Sequence, residues 1–94
     1  MLIEQQDKFS EEFKQIFEFI AKDKLSAAKK FKSDLITQIK EIPNFPYKYR
    51  KSIYANDEKL RDMTFRGYVV VYRIGKFQIE LITIFNQNLP TFIE

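Results

Sequence analysis

A chain of 94 residues with a formal charge of +3 fits one domain and leaves no room for a second. It is 45% hydrophobic and 16% aromatic, with two glycines and three prolines, which excludes a disordered make-up. The absence of cysteine excludes a disulfide framework and thiolate chemistry, and the absence of histidine removes the commonest general base and metal ligand, so no metal or cofactor is expected.

The opening residues Leu2 to Gln6 suggest a short strand, and they bear no mark of a signal peptide. No apolar run approaches membrane-spanning length, so the cytoplasm is the expected location and no membrane contact is foreseen. From Phe9, apolar residues at Phe13, Ile16, Phe17 and Ile20 trace one face of a helix, with Asp7 or Ser10 as candidate caps. A second helical pattern runs through Leu25, Ala28, Phe31, Leu35, Ile39 and Ile42 and stops at Pro43, which has no N–H to continue the ladder. Only a few residues around Lys22 to Lys24 separate the two patterns, which predicts an antiparallel helical hairpin. Lys29, Lys30 and Lys32 read as a solvated face of the second helix.

Asn44 to Lys59, with Pro46 and alternating aromatic and basic residues from Tyr47 to Arg50, reads as irregular surface structure. From Leu60 the period becomes two, with Arg66-Gly67 and Gly75-Lys76 as candidate two-residue turns. Two-residue turns there would pair Phe65 with Tyr68 and Met63 with Val70, then Ile74 with Phe77, Tyr72 with Ile79, Val70 with Leu81 and Tyr68 with Thr83. The expected fold class is therefore α+β: a short N-terminal strand, the helical hairpin, and a three-stranded antiparallel meander in one domain over residues 1–94. Two helices cover one side of such a sheet, which would leave Val69, Val71, Ile82 and Ile84 partly bare on the other as a partner surface, unless the tail Asn88 to Glu94 folds over it.

Charge is uneven along the chain. Lys48 to Lys76 holds eight basic residues against Asp57, Glu58 and Asp62, a net +5, and the remainder carries −2. All four arginines, Arg50, Arg61, Arg66 and Arg73, lie in that segment, and arginine grips phosphate or carboxylate in two-pronged fashion. Bland roles stand beside these. Tyr68 and Tyr72 suit packing at the core edge, Arg61 could snorkel to Glu18 or Asp34, and Arg73 lies near Asp62 and Glu80.

Three stretches, FIAKDKLSAAKKFKSDLITQIKEIPNFPYKYRKS, LRDMTFRGYVVVYRI and IELITIF, resemble in order and spacing the RelE/ParE superfamily of toxins from bacterial type II toxin–antitoxin (plasmid stabilisation) systems. The resemblance implies a growth-arresting toxin neutralised by a cognate antitoxin, with oligomers formed mainly through that antitoxin. It is closer to the ParE branch through GYVVVYRI, and that branch inhibits DNA gyrase by binding, so Lys48, Arg50, Lys51, Arg61, Arg66 and Arg73 would form the target contact and Val69, Val71, Ile82 and Ile84 the antitoxin contact. The alternative is a RelE-type, ribosome-dependent mRNA endonuclease, for which Arg66, Arg73, Tyr68 and Lys48 would be the available catalytic groups. That reading departs from the pattern twice. Val69 stands where an arginine usually follows Gly-Tyr, and the last strand ends in Asn86-Gln87-Asn88, which cannot exchange protons.

Overall fold

A computed structural model gives the fold and describes residues 1–88. Strand β1 (Leu2–Gln5) leads into helix α1 (Asp7–Asp23), and α2 (Leu25–Lys40) follows after Lys24 alone. A 3-10 turn over Ile42–Asn44 holds Pro43, whose missing N–H costs nothing in a first turn. Strands β2 (Arg50–Lys51), β3 (Leu60–Phe65), β4 (Tyr68–Ile74) and β5 (Gln78–Asn86) complete a five-stranded sheet in the order β1-β5-β4-β3-β2. All neighbours are antiparallel except β1 and β5.

The expected strand, helical hairpin and meander are present, and β2 is an addition within the segment read as irregular. It pairs Arg50 with Asp62 and Lys51 with Arg61. Two polar residues carry no periodicity, so the strand had no signature. The start of α1 also differs from expectation. Gln6 holds the cap position without a side-chain capping bond, its N–H donates to the Leu81 carbonyl at 3.0 Å, and Ser10 lies inside the helix, donating to Gln5 Oε1 at 3.0 Å. Because β1 runs straight into α1, the backbone leaves the sheet already committed and neither Asp7 nor Ser10 is needed as a cap.

The hairpin of helices buries Phe9, Phe31, Leu35 and Ile39 against Met63, Val70, Tyr72, Ile79 and Leu81 of the sheet. Phe31 is central: its ring meets Phe65 and Tyr68 edge-on, each at 5.3 Å between centroids. The Arg66-Gly67 turn forms as expected, with φ of 48° and 84°. Both values are positive, which matches the twist of a two-residue hairpin and suits glycine at the second place. Phe65 faces Tyr68 and Met63 faces Val70.

The β4–β5 pairing departs from the expected register. Ile74 faces Ile79 and Tyr72 faces Leu81; beyond an irregularity Val71 faces Thr83, Val70 faces Ile84 and Tyr68 faces Asn86. The connection is longer than Gly75-Lys76, closed by the Gly75 N–H on the Gln78 carbonyl at 2.8 Å, and Phe77 stands out in solvent at 72% exposure. Ile82 has no partner in the register, so the alternation along β5 slips by one there and both Leu81 and Ile84 point into the core. Glu12 of α1 secures the slip: its carboxylate accepts from the Thr83 hydroxyl and from the Ile84 N–H at 3.1 Å.

These facts correct the expected bare face. Ile84 belongs to the core, and Val69, Val71 and Ile84 are exposed by only 1%, 6% and 1%; Ile82 alone of the four is half-buried. On the side away from the helices, the Ile53 N–H donates to Asp62 Oδ2 at 3.2 Å and the Tyr54 ring meets Phe85 edge-on at 5.3 Å, so the β2–β3 loop crosses that side. The expected cover by the tail concerns residues that, from 89 onward, lie outside the described ones.

Candidate functional site

The aromatic and basic alternation of residues 45–51 becomes a cluster at the β2–β3 edge. Arg61 starts on the inward parity of β3, but so near the sheet edge its chain turns out to the loop instead of reaching Glu18 or Asp34. There it donates to the Tyr49 carbonyl at 3.2 Å, to the Glu58 carbonyl at 3.1 Å and to Glu58 Oε1 at 3.2 Å, and its guanidinium lies 4.8 Å from the Tyr47 ring centroid. Lys59 donates to the Tyr47 hydroxyl at 3.0 Å. Arg50 pairs with Asp62 at 3.6 Å, and Lys51 with Glu58 at 3.4 Å. Lys48 lies over the Tyr49 ring at 5.5 Å. Among the described residues, the ammonium groups of Lys48 and Lys59 form no ion pair, while Phe45 and Tyr47 stand exposed beside them.

Of the six cations expected to contact a target, Lys48, Arg50, Lys51 and Arg61 therefore share one edge. Arg73 adjoins it through Asp57 at 2.9 Å. Arg66 does not belong there: it sits at the far end of β3, five residues or about 16 Å of strand from Arg61, and is bonded to Asp34 of α2. Sequence reasoning passed over Lys59, Phe45 and Tyr47, although the alternation through Tyr47 to Arg50 was a usable signal.

Charge partners set the carboxyls of this surface. Hydrogen bonding from Arg66, then from Lys30, holds Asp34 below its ordinary 3.8. Asp57 is lowered chiefly by the Lys59 backbone N–H, with Arg73 adding to it. A carboxyl held low in the folded state favours folding above its ordinary value and loses that contribution as pH falls through the lowered one. The melting temperature should thus hold steady from neutral pH to about 4 and drop below it, and the Asp34→Asn/Asp57→Asn double variant should show a shallower drop. Thermal melts across acid pH measure this, and identical acid slopes in the two proteins would count against these pairs.

The four groups available to a nuclease fall in two places, Arg66 and Tyr68 at the β3–β4 turn and Arg73 and Lys48 toward the β2–β3 edge. Tyr68 packs its ring on Phe31, Arg66 is at the β3–β4 turn with Asp34, Arg73 is with Asp57, and Lys48 is over Tyr49. Tyr68 and Arg73 differ by an odd number of strand positions, so they project from opposite faces. Tyr72 is fully buried and donates its hydroxyl to the Pro46 carbonyl at 2.6 Å; burial, with Tyr49 nearby, drives its pKa well above the ordinary 10.0. Among the described residues, no group of three acidic, His or Cys side chains could hold a metal ion, and no helix is long and apolar enough to cross a membrane.

Comparison with known proteins adds two findings. The family model described as ParE toxin of the type II toxin–antitoxin system parDE matches residues 3–88. A chain of the chromosomal ParDE TA system from P. aeruginosa is similar in fold, with a TM-score of 0.73 and 15% identity over 92% of this chain and 95% of that one. No curated protein matches by sequence.

Proposed function

The chain belongs to the ParE toxin family of type II toxin–antitoxin systems, and from that premise we propose that it arrests growth in the cytoplasm by binding DNA gyrase, with a cognate antitoxin keeping it silent and organising any oligomer. The observation that carries the binding reading is the separation of Arg66 and Tyr68, at the β3–β4 turn, from Arg73 and Lys48, which lie toward the β2–β3 edge. Cleaving RNA through a 2′-hydroxyl requires a base, an acid and positive charge around one phosphate. Here Tyr68 and Arg66 sit at the β3–β4 turn, engaged with Phe31 and Asp34, while Arg73 is held by Asp57 toward the other end of β4. A binding inhibitor has no such requirement. It needs a presented surface, and the β2–β3 edge offers Lys48, Lys59, Phe45 and Tyr47 beside Arg50, Lys51 and Arg61.

The test is a supercoiling assay with purified gyrase. Added toxin should inhibit supercoiling and accumulate cleaved DNA complexes, and Lys48→Glu should weaken inhibition at least tenfold, since it reverses an exposed charge with no ion-pair partner among the described residues. Messenger RNA in a purified translation system should stay intact. Untouched supercoiling at micromolar toxin, or codon-positioned cleavage of the message, would remove the proposal.

A further inference from the structure

Phe45 and Tyr47 are 65% and 51% exposed, and the chain holds both on an anchored turn. The turn is closed by the Lys48 N–H on the Phe45 carbonyl at 3.0 Å, and Pro46 fixes φ between the two aromatic residues. Beneath it the fully buried Tyr72 donates its hydroxyl to the Pro46 carbonyl at 2.6 Å, which ties the turn to the core. Large rings kept in water add little to folding. On a turn already ordered they offer flat apolar area to a partner at small entropic cost. The Arg61 guanidinium lies 4.8 Å from the Tyr47 ring centroid, and about half of that side chain stays open to solvent.

Charge around the rings sets the sign of the partner. Lys48 ends the turn and Lys59 donates to the Tyr47 hydroxyl, and the ammonium groups of both form no ion pair among the described residues. The carboxylates nearby are engaged. Glu58 is paired with Lys51 and Arg61, Asp57 with Arg73, and Glu41 accepts from the Asn44 amide at the α2 side of the patch.

We propose that this turn binds single-stranded DNA directly, with unpaired bases stacked on Phe45 and Tyr47 and the adjoining phosphates at Lys48 and Lys59. The inference rests on the gyrase reading for the choice of DNA over RNA, and adds that the toxin touches the nucleic acid as well as the enzyme. Exposed rings beside cations free of ion pairs hold a strand without reading its sequence, because every base has a flat face and every nucleotide a negative charge. An acidic protein segment would engage the lysines but bring no planar groups to the two rings. Duplex DNA keeps its base faces inside its own stack.

The experiment measures fluorescence anisotropy of a labelled oligothymidylate of about twelve nucleotides, titrated with the whole chain in the absence of gyrase, with an oligouridylate and a DNA duplex of the same length as the other arms. The oligothymidylate should bind at micromolar protein, and the duplex more weakly. Phe45→Ala and Tyr47→Ala should each weaken binding about tenfold, the loss of one stacked base, with melting temperatures close to wild type because both side chains are exposed. Lys48→Ala should make the slope of log affinity against log salt shallower by about 0.7, one phosphate contact on a single strand. Phe77→Ala and Lys29→Ala are the controls, an exposed ring at the β4–β5 connection and an exposed lysine of α2, and should leave affinity unchanged. Failure of the oligothymidylate to bind while supercoiling is inhibited would overturn the inference and leave the gyrase reading standing. Equal binding of the duplex, tighter binding of the oligouridylate, or losses at the controls as large as at Phe45 and Tyr47 would also overturn it. Oligothymidylate binding with supercoiling untouched would sustain the site and remove the gyrase reading.

Discussion

Replacing Ile84 with alanine should destabilise the domain by about 2–5 kcal/mol, the range for emptying a core aliphatic site, whereas the same change at Ile82 should cost about 1 kcal/mol or less. The contrast follows from the slip in β5. Ile84 is fully buried in the core cluster, opposite Val70, and Ile82 is half-buried with no place in the register. A strict two-residue alternation from Leu81 would send Ile84 to the same side as Ile82. Thermal melting separates the cases, because each kcal/mol moves the midpoint of a domain this size by roughly 4–8 °C. Equal losses at the two positions would mean that the slip is absent and that Glu12 does not hold the Ile84 N–H.

The features that the sequence made legible were those fixed by local pattern. Phe9 to Ile20 and Ala28 to Ile39 turn inward at helical spacing whatever lies opposite, Pro43 ends a helix for want of an N–H, and Arg66-Gly67 accepts positive φ at both places. Those three facts yield the hairpin and the β3–β4 register. The β4–β5 register was not legible, since it depends on a contact between residues far apart in the chain. Glu12 takes the Thr83 hydroxyl and the Ile84 N–H, and nothing near Thr83 in the sequence announces a carboxylate from α1. The candidate site divides in the same way. Lys48, Arg50 and Lys51 come together because they are neighbours on one loop, and Arg61 joins them because β2 pairs with β3. Arg66 is drawn away by Asp34, a partner set by how α2 packs on the sheet. Lys59 takes its place near the cluster through the Tyr47 hydroxyl, a contact between two loop residues that no periodicity encodes.

Substituting aspartate at Val71 should unfold the protein as surely as substituting it at Val70, although the two side chains leave the sheet on opposite sides. Val70 lies in the core beneath the helices and is fully buried. Val71 was expected to be open to a partner, but it is 6% exposed and its cross-strand neighbour is Asp62, itself buried and paired with Arg50. Placing an ionised carboxylate in such a site costs several kcal/mol in lost hydration. At position 71 a second contribution adds to it, because directly opposed residues in an antiparallel pair stand close enough for like charges to repel. Asp62 already has one oxygen, Oδ1, without a hydrogen-bond partner, so no spare donor is at hand to share between two carboxyls. A total above about 4 kcal/mol is a large part of the 5–15 kcal/mol that holds a domain of this size together. Val71→Ala, which adds no charge, should remain folded with a lowered midpoint. Asp62→Asn introduced alongside Val71→Asp should recover part of the loss, and the size of that recovery in a double-mutant cycle reports the like-charge contribution. A Val71→Asp protein that melts like the wild type would show that this side of the sheet is open after all, and would return Val71 to the candidates for an antitoxin contact.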